Sequence, residues 1–411
     1  MVAVLQAGQG PPRSGSWQVV ELGADEWVQA GYRDDHVHIL AAAAAGLSVS
    51  LAGVATMADL LDTVADAARS ARGWGRLWGY DDALLAENRH PTRDDLDAVT
   101  GSWPVLLHHR TGHVVVANTA ALSALGADPA DAPDGVLVER HDVLARTPPL
   151  DPTELRRAAG EVLEEMSSQG VVACTDATHT NDRDRLVLLD GLTGSGRPRL
   201  TAMVAPRALV DLPGYGERVG SVEVGPAKVM PLVVDDESLV PQIEVARRHS
   251  FPVAVHVMDV DTLEVTLRAM AVSSMPGDRI EHCAMALPEQ LDRLAELDIA
   301  VCTQPGFVVE REHVYRHRFG ATELGWLWPL RSLLDRSVDV TLGSDGPVTS
   351  SDPARWIAAA SNRNLATGER VDPGTAESLA VACPVDVGCR GDELVIGDGR
   401  QFRPLVDGRA P

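Results

Sequence analysis

From Asp151 onward the chain alternates short apolar runs with amphipathic ones, and this regularity leaves few folds open. Strand-like runs lie at Val171–Ala177, Leu200–Ala205, Val222–Met230, Val253–Val257, Arg279–Cys283, Ile299–Thr303 and Val338–Leu342. Helical patterns such as Glu237–His249 and Leu287–Leu297 separate them. Near-continuous apolar strands alternating with helices mark a parallel sheet covered on both faces. One more strand of this kind lies much earlier, at residues 29–40. Eight strand–helix units predict an α/β fold, a closed (β/α)8 TIM-like barrel whose strand C-terminal ends meet at one mouth.

The ends of these strands carry the chemistry. The first runs into Asp34-Asp35-His36-Val37-His38. Side chains alternate along a strand, so His36 and His38 share a face and form half of a metal site. Lys228 sits in Val222–Met230, and it is the only lysine among 36 Lys plus Arg. A lysine kept for solubility would lie on a polar face rather than in an apolar run. Burial pushes an amine toward its neutral form, and a neutral amine can take up carbon dioxide as a carbamate, an anionic bridging ligand. His256, His282 and Asp345 end three further strands. Singly, each reads as a core histidine or a turn-forming aspartate. Jointly, four His, one Asp and the lone Lys at strand ends predict a metal centre.

Composition narrows the partners. The net charge of −23 argues against nucleic acid and against an anionic membrane and favours a neutral or cationic substrate; a small-molecule substrate is expected, and a homo-oligomer is compatible with the sequence. Five scattered cysteines without a C-x-x-C pair predict a reduced, cytoplasmic chain with no disulfide framework. The N-terminus lacks the basic and apolar regions of a signal peptide. Residues 39–58 are uncharged, but Ala, Gly and Ser dominate them, so they read as a buried segment rather than a membrane span.

The expected organisation is a barrel over residues 31–384, with a large insertion at 41–150 after the first strand. A reduced β side module is expected from residues 1–30 and 385–411, including a leader strand at Trp17–Leu22. Asp151 and Pro152 predict a helix start, as does Thr92. Strands are expected on both sides of Arg110-Thr111-Gly112. The stretch Glu310–Arg318 reads as a solvated segment over the mouth, offering Arg311 or Tyr315 to substrate. His108, His109 and His113 do not form a second metal cluster on this reading, because no acid or cysteine is spaced to complete it. Ile39-Leu40 after the His pair excludes the H-x-H-x-D-H pattern of metallo-β-lactamases.

The order H-x-H, Lys, His, His, Asp on successive strands resembles the amidohydrolase superfamily. Ser344-Asp345, Arg279-Ile280-Glu281-His282 and Thr303-Gln304-Pro305 resemble its YtcJ-like branch, amidohydrolase family 3, which includes N-substituted formamide deformylases. Trp78-Gly79-Tyr80-Asp81, Pro91–Leu96 and Arg110–Asn118 resemble that branch's insertion. The chain departs from the family pattern at Ala30-Gly31-Tyr32-Arg33-Asp34 and in its short terminal segments. The resemblance implies a metal-dependent hydrolase cleaving a non-peptide C–N bond, an amide or N-substituted formamide, with a metal-bridging hydroxide. It implies that His36, His38 and Asp345 hold one divalent metal and that His256 and His282 hold another. Two zinc ions, or manganese or iron, would be bridged by carboxylated Lys228. Asp345 would be the catalytic base and then acid. Tyr80, Arg110, His113 and Gln304 would contact substrate. Two alternatives are a deaminase of the same superfamily, disfavoured by Lys228 and the lack of a Glu near Asp259, and a non-catalytic ligand-binding relative.

Overall fold

A computed structural model describes residues 22–23, 25–69, 73–128, 130, 132–192, 196–231, 236–383 and 393–405. The expected leader strand falls outside these residues save for Leu22. The strands, in chain order, are β1 (Trp27–Ala30), β2 (Tyr32–Val37), β3 (Val49–Ser50), β4 (Gly75–Tyr80), β5 (Val105–His109), β6 (Val114–Ala117), β7 (Val136–Val138), β8 (Val171–Asp176) and β9 (Arg199–Val204). They continue as β10 (Arg218–Val219), β11 (Val222–Val229), β12 (Val253–Val257), β13 (Arg279–His282), β14 (Ala300–Thr303), β15 (Val340–Leu342), β16 (Leu394–Gly397) and β17 (Phe402–Pro404). The chain divides into two compact units, Met1–Ile39 with Gly160–Pro411, and Leu40–Ala159.

The first unit holds a nearly closed parallel barrel in the order β15-β14-β13-β12-β11-β9-β8-β2. This is the (β/α)8 architecture expected from the alternation. Its strands are apolar and buried almost throughout, Val222–Val229 and Val253–Val257 showing one half-buried position each, because helices cover a parallel sheet from outside. The register aligns Lys228 with Ala254, His256 with Glu281 and Glu281 with Cys302. Residues expected to form one long first strand split at Gly31. β1 pairs with β16, and β16 with β17, in a separate antiparallel sheet, while β2 enters the barrel beside β8.

The seam between β2 and β15 closes the barrel through backbone contacts past the strand ends. Asp345 N donates to His36 O at 2.6 Å, and His38 N to Gly346 O at 2.8 Å. Val37 bridges Gly346 in parallel. The seam is tight: a Cβ at Gly343 would lie 2.7 Å from both the Cβ and the N of His36.

The second unit is a five-stranded sheet, β3-β4-β5-β6-β7. β4 and β5 run parallel, and β5 and β6 form an antiparallel hairpin around Arg110-Thr111-Gly112. Thr92 caps the helix Arg93–Thr100 through a reciprocal capping box with Asp95, as its position in the sequence predicts. Leu60, Val64, Leu77, Leu96, Leu107 and Val116 fill this unit's core. The uncharged stretch after the His pair becomes a short helix, Ile39–Gly46, followed by β3. No described helix is long and apolar enough to cross a membrane.

Two expectations are corrected. Cys383 is disulfide-bonded, while Cys174, Cys283 and Cys302 are free and buried; a C-x-x-C spacing is not required for two cysteines to come within bonding distance. The stretch Glu310–Arg318 is two helical segments, ending one and forming the next, and it is not wholly solvated. Arg311 is buried, and Tyr315 packs against the cluster of Phe307, Val308, Leu327 and Trp328.

Substituting Gly343→Ala forces a methyl against His36 at the seam. The expected loss is about 1–3 kcal/mol of unfolding free energy, read from urea denaturation; an unchanged midpoint would show that the seam has room.

Candidate metal centre

The four barrel histidines form a continuous row at the strand ends. Ring centroids are 5.3 Å apart for His36 and His38, 4.6 Å for His36 and His282, and 4.6 Å for His256 and His282. Asp345 Oδ1 faces the row, 3.0 Å from His38 Nε2 and 3.4 Å from His36 Nε2. His36, His38 and Asp345 thus offer three ligand atoms converging on one point. Metal bonds of about 2.0–2.2 Å set neighbouring ligand atoms about 2.9–3.6 Å apart, the separations seen here.

The backbone aims these groups at some cost. His282 (φ +71°) and Asp345 (φ +56°) both adopt left-handed conformations, which cost non-glycine residues on the order of 1–2 kcal/mol. At His282 this breaks strict strand alternation, so Glu281 and His282 both serve the same cluster.

Three of the imidazoles use Nδ1 for orientation. His36 Nδ1 meets Glu281 Oε2 at 2.5 Å, His38 Nδ1 meets Thr178 Oγ1 at 3.1 Å, and His282 Nδ1 meets Gln304 Oε1 at 2.6 Å. An imidazole whose Nδ1–H donates outward presents the Nε2 lone pair, the arrangement of a metal-ligating histidine. His36 Nε2 is buried with no hydrogen-bond partner among the described residues, and so is Lys228 Nζ. Burial lowers the Lys228 pKa, partly opposed by Glu281 and Asp345. Burial, with the Lys228 charge next for His36 and the His36 charge next for His282, holds both of these imidazoles well below their usual value. Burial raises the Asp345 carboxyl, but His38, His36 and Lys228 together bring it below the usual range. The donor set therefore includes neutral imidazoles at His36 and His282, an ionised carboxylate and an amine stripped of solvent, which fits divalent metal.

The barrel brings His36, His38, Lys228, His256, His282 and Asp345 into one unit, with Gln304 beside them. Gln304 is fully buried, its amide engaged with His282 and with Cys302 O. Tyr80, Arg110 and His113 belong to the Leu40–Ala159 unit. Tyr80 is buried with its hydroxyl 3.2 Å from His90 Nδ1, Arg110 Nη1 lies 3.9 Å from Asp81 Oδ2, and His113 Nδ1 pairs with Glu139.

Supporting residues that the sequence reading passed over are Glu281, Thr178 and Asp34. Glu281 is held from behind by Arg279 Nε at 2.5 Å. Asp34 Oδ1 accepts Ser344 N at 2.9 Å and His36 N at 3.2 Å, and Asp34 Oδ2 lies 2.6 Å from Ser344 Oγ. The available signal was an acid within or next to a strand carrying a candidate ligand; its partners lie 245 and 310 residues away for Glu281 and Asp34. In the second unit, His108 stacks on Trp78 rather than joining His109 and His113. Yet two acids do reach His109, against the expectation from spacing: Asp81 and Asp82.

The amidohydrolase family profile matches residues 25–383. This chain belongs to the amidohydrolase family. The N-substituted formamide deformylase of Arthrobacter pascens is 25% identical to this amidohydrolase over 462 residues, spanning 93% of this chain and 84% of that enzyme. The putative amidohydrolase YtcJ of Bacillus subtilis (strain 168) is 22% identical over 80% of this chain and 72% of its own length. An uncharacterised metal-dependent hydrolase from Pyrococcus furiosus shares the fold, with a TM-score of 0.67, 24% identity and coverage of 86% of this chain and 81% of its own.

Burial raises the Asp34 carboxyl of this amidohydrolase from the ordinary 3.8 to about 7. Between those values the folded chain keeps a proton that the unfolded chain has released, so this group removes stability as pH rises through the window. Asp34→Asn cannot ionise and should flatten that slope. Thermal melts at about pH 5 and about pH 7 make the comparison, and identical slopes would remove Asp34 as the titrating group.

Proposed function

We propose that this amidohydrolase cleaves the C–N bond of a small-molecule amide or N-substituted formamide, using divalent metal at the barrel mouth. One observation carries the reading: His36 Nε2, His38 Nε2 and Asp345 Oδ1 converge, while the buried Lys228 amine has no hydrogen-bond partner among the described residues. Such a buried amine is costly as an unpaired ammonium and well suited to conversion into a carbamate. The similarity to a formamide deformylase supports the substrate class.

Bound metal, zinc or alternatively manganese or iron, supplies an acidified water and a Lewis acid toward the substrate carbonyl. His36, His38 and Asp345 would hold one ion, His256 and His282 a second, with carboxylated Lys228 between them. The Asp345 carboxylate, ionised at neutral pH, accepts the nucleophile's proton on the oxygen not committed to the metal and returns it to the leaving nitrogen, base first and acid second. Glu281, Thr178 and Gln304 fix the imidazole orientations throughout. Phe307 and Trp328 stack at 5.0 Å, with His282 6.3 Å and 6.5 Å from their rings.

Asp345→Asn should lower turnover of a cleaved formamide by at least about 10²–10⁴-fold with the circular dichroism of the native fold intact; unchanged turnover would sink the base assignment. Lys228→Ala should lose metal by elemental analysis of protein purified with bicarbonate, and a short carboxylic acid should restore part of it. Full metal retention without rescue would take the carbamate out of the reading.

A further inference from the structure

In the Leu40–Ala159 unit, β4 and β5 run parallel with Tyr80 level with His109. The residues that follow β4 are Asp81 and Asp82, and this register carries both to the His109 ring. His109 Nε2 lies 3.1 Å from Asp82 Oδ1 and 3.5 Å from Asp81 Oδ1. These separations match those at the barrel mouth and fit neighbouring ligands of one ion with bonds of about 2.0–2.2 Å.

The His109 side chain is only 5% exposed. Its Nε2 is fully buried and completes no hydrogen bond, although two carboxylates stand close to it. Nδ1 lies 2.8 Å from Thr111 Oγ1, and Thr111 N approaches the same atom at 3.3 Å. Thr111 N–H donates to Nδ1, so the metal-free ring carries its proton on Nε2, toward the two carboxylates, which raise the His109 pKa against burial. An ion at this point displaces that proton and leaves Nδ1–H to donate to Thr111 Oγ1, the arrangement of a ligating histidine. The carboxylates have other neighbours, two charged groups farther out and one backbone amide. Arg110 Nη1 is 3.9 Å from Asp81 Oδ2, His90 Nδ1 is 3.8 Å from Asp82 Oδ1, and Ala83 N donates to Asp81 Oδ1 at 3.2 Å. The Asp82 side chain is 33% exposed, which gives an ion access from solvent and lets water complete its coordination.

We propose that Asp81, Asp82 and His109 bind one divalent first-row transition metal, tying the end of β4 to the end of β5. One imidazole with two carboxylates suits zinc or manganese. The site uses none of the barrel ligands and does not rest on the hydrolase reading.

The test uses the full-length chain with His36→Asn and His38→Asn, dialysed against zinc and checked for native circular dichroism. Zinc should remain bound, and adding Asp82→Asn or His109→Gln should lower the content by about one per chain. A folded His36→Asn, His38→Asn protein that holds no zinc overturns the proposal, as does unchanged zinc content after Asp82→Asn and His109→Gln together. Should the barrel variant fail to fold, Asp82→Asn alone in the otherwise unaltered chain decides. Loss of one equivalent relative to the parent supports the site, and an unaltered stoichiometry overturns it. Asp82 is partly exposed, so this substitution leaves the unit's core intact.

Discussion

The barrel seam is the constraint on which the rest depends. β2 and β15 are joined at their C-terminal ends by two backbone hydrogen bonds, Asp345 N to His36 O and His38 N to Gly346 O. Asp34 adds a side-chain clamp across the same seam, taking Ser344 N, Ser344 Oγ and His36 N. Closure and ligand placement are therefore one event. If the seam opened by one residue, His36 and His38 would separate from Asp345 and the centre would be lost. Buried polar groups are costly unless each is satisfied, and this network satisfies them only in the closed register.

The second dependence is orientation of the imidazoles. Each neutral ring has one donor and one acceptor nitrogen, and the fold assigns the donor side. Glu281 is the strongest of these partners, because Arg279 Nε holds its other oxygen and Arg279 Nη2 reaches Asp35 O. That chain of contacts ties β13 to β2 behind the centre. A carboxylate anchored this firmly sets both the position and the tautomer of His36, while Thr178 and Gln304 do the same by neutral hydrogen bonds.

Much of this was legible in the sequence, for a physical reason. Parallel barrel strands are buried on both faces, so each reads as an apolar run, and a polar residue at its end stands out. His36, His38, Lys228, His256, His282 and Asp345 were readable on that ground. Glu281, Asp34 and Thr178 were not given roles, since their partners are set by which strands become neighbours, and a residue's own surroundings in sequence carry no trace of that. His109 illustrates the same limit. Spacing along the chain offers it no acid, whereas the parallel register of β4 and β5 supplies two. The split of the first strand at Gly31 was equally hidden, because both halves read as extended and only their partners differ.

The charge state of Lys228 follows from the same surroundings. Its amine is buried without a hydrogen-bond partner among the described residues, and Arg279 already compensates Glu281. An ammonium there would find only Asp345 as a nearby uncompensated anion, and Asp345 is held by His38. Desolvation thus favours the neutral amine, which is also the form that reacts with carbon dioxide. Carbamate formation adds a negative charge to a pocket that already contains Asp345, and that charge is tolerable only beside cations. The Nε2 lone pairs of the neutral imidazoles are positioned to hold such cations. Burial thus favours the neutral forms of Lys228, His36 and His282 together, and each of them would make a bound cation at the barrel end less costly.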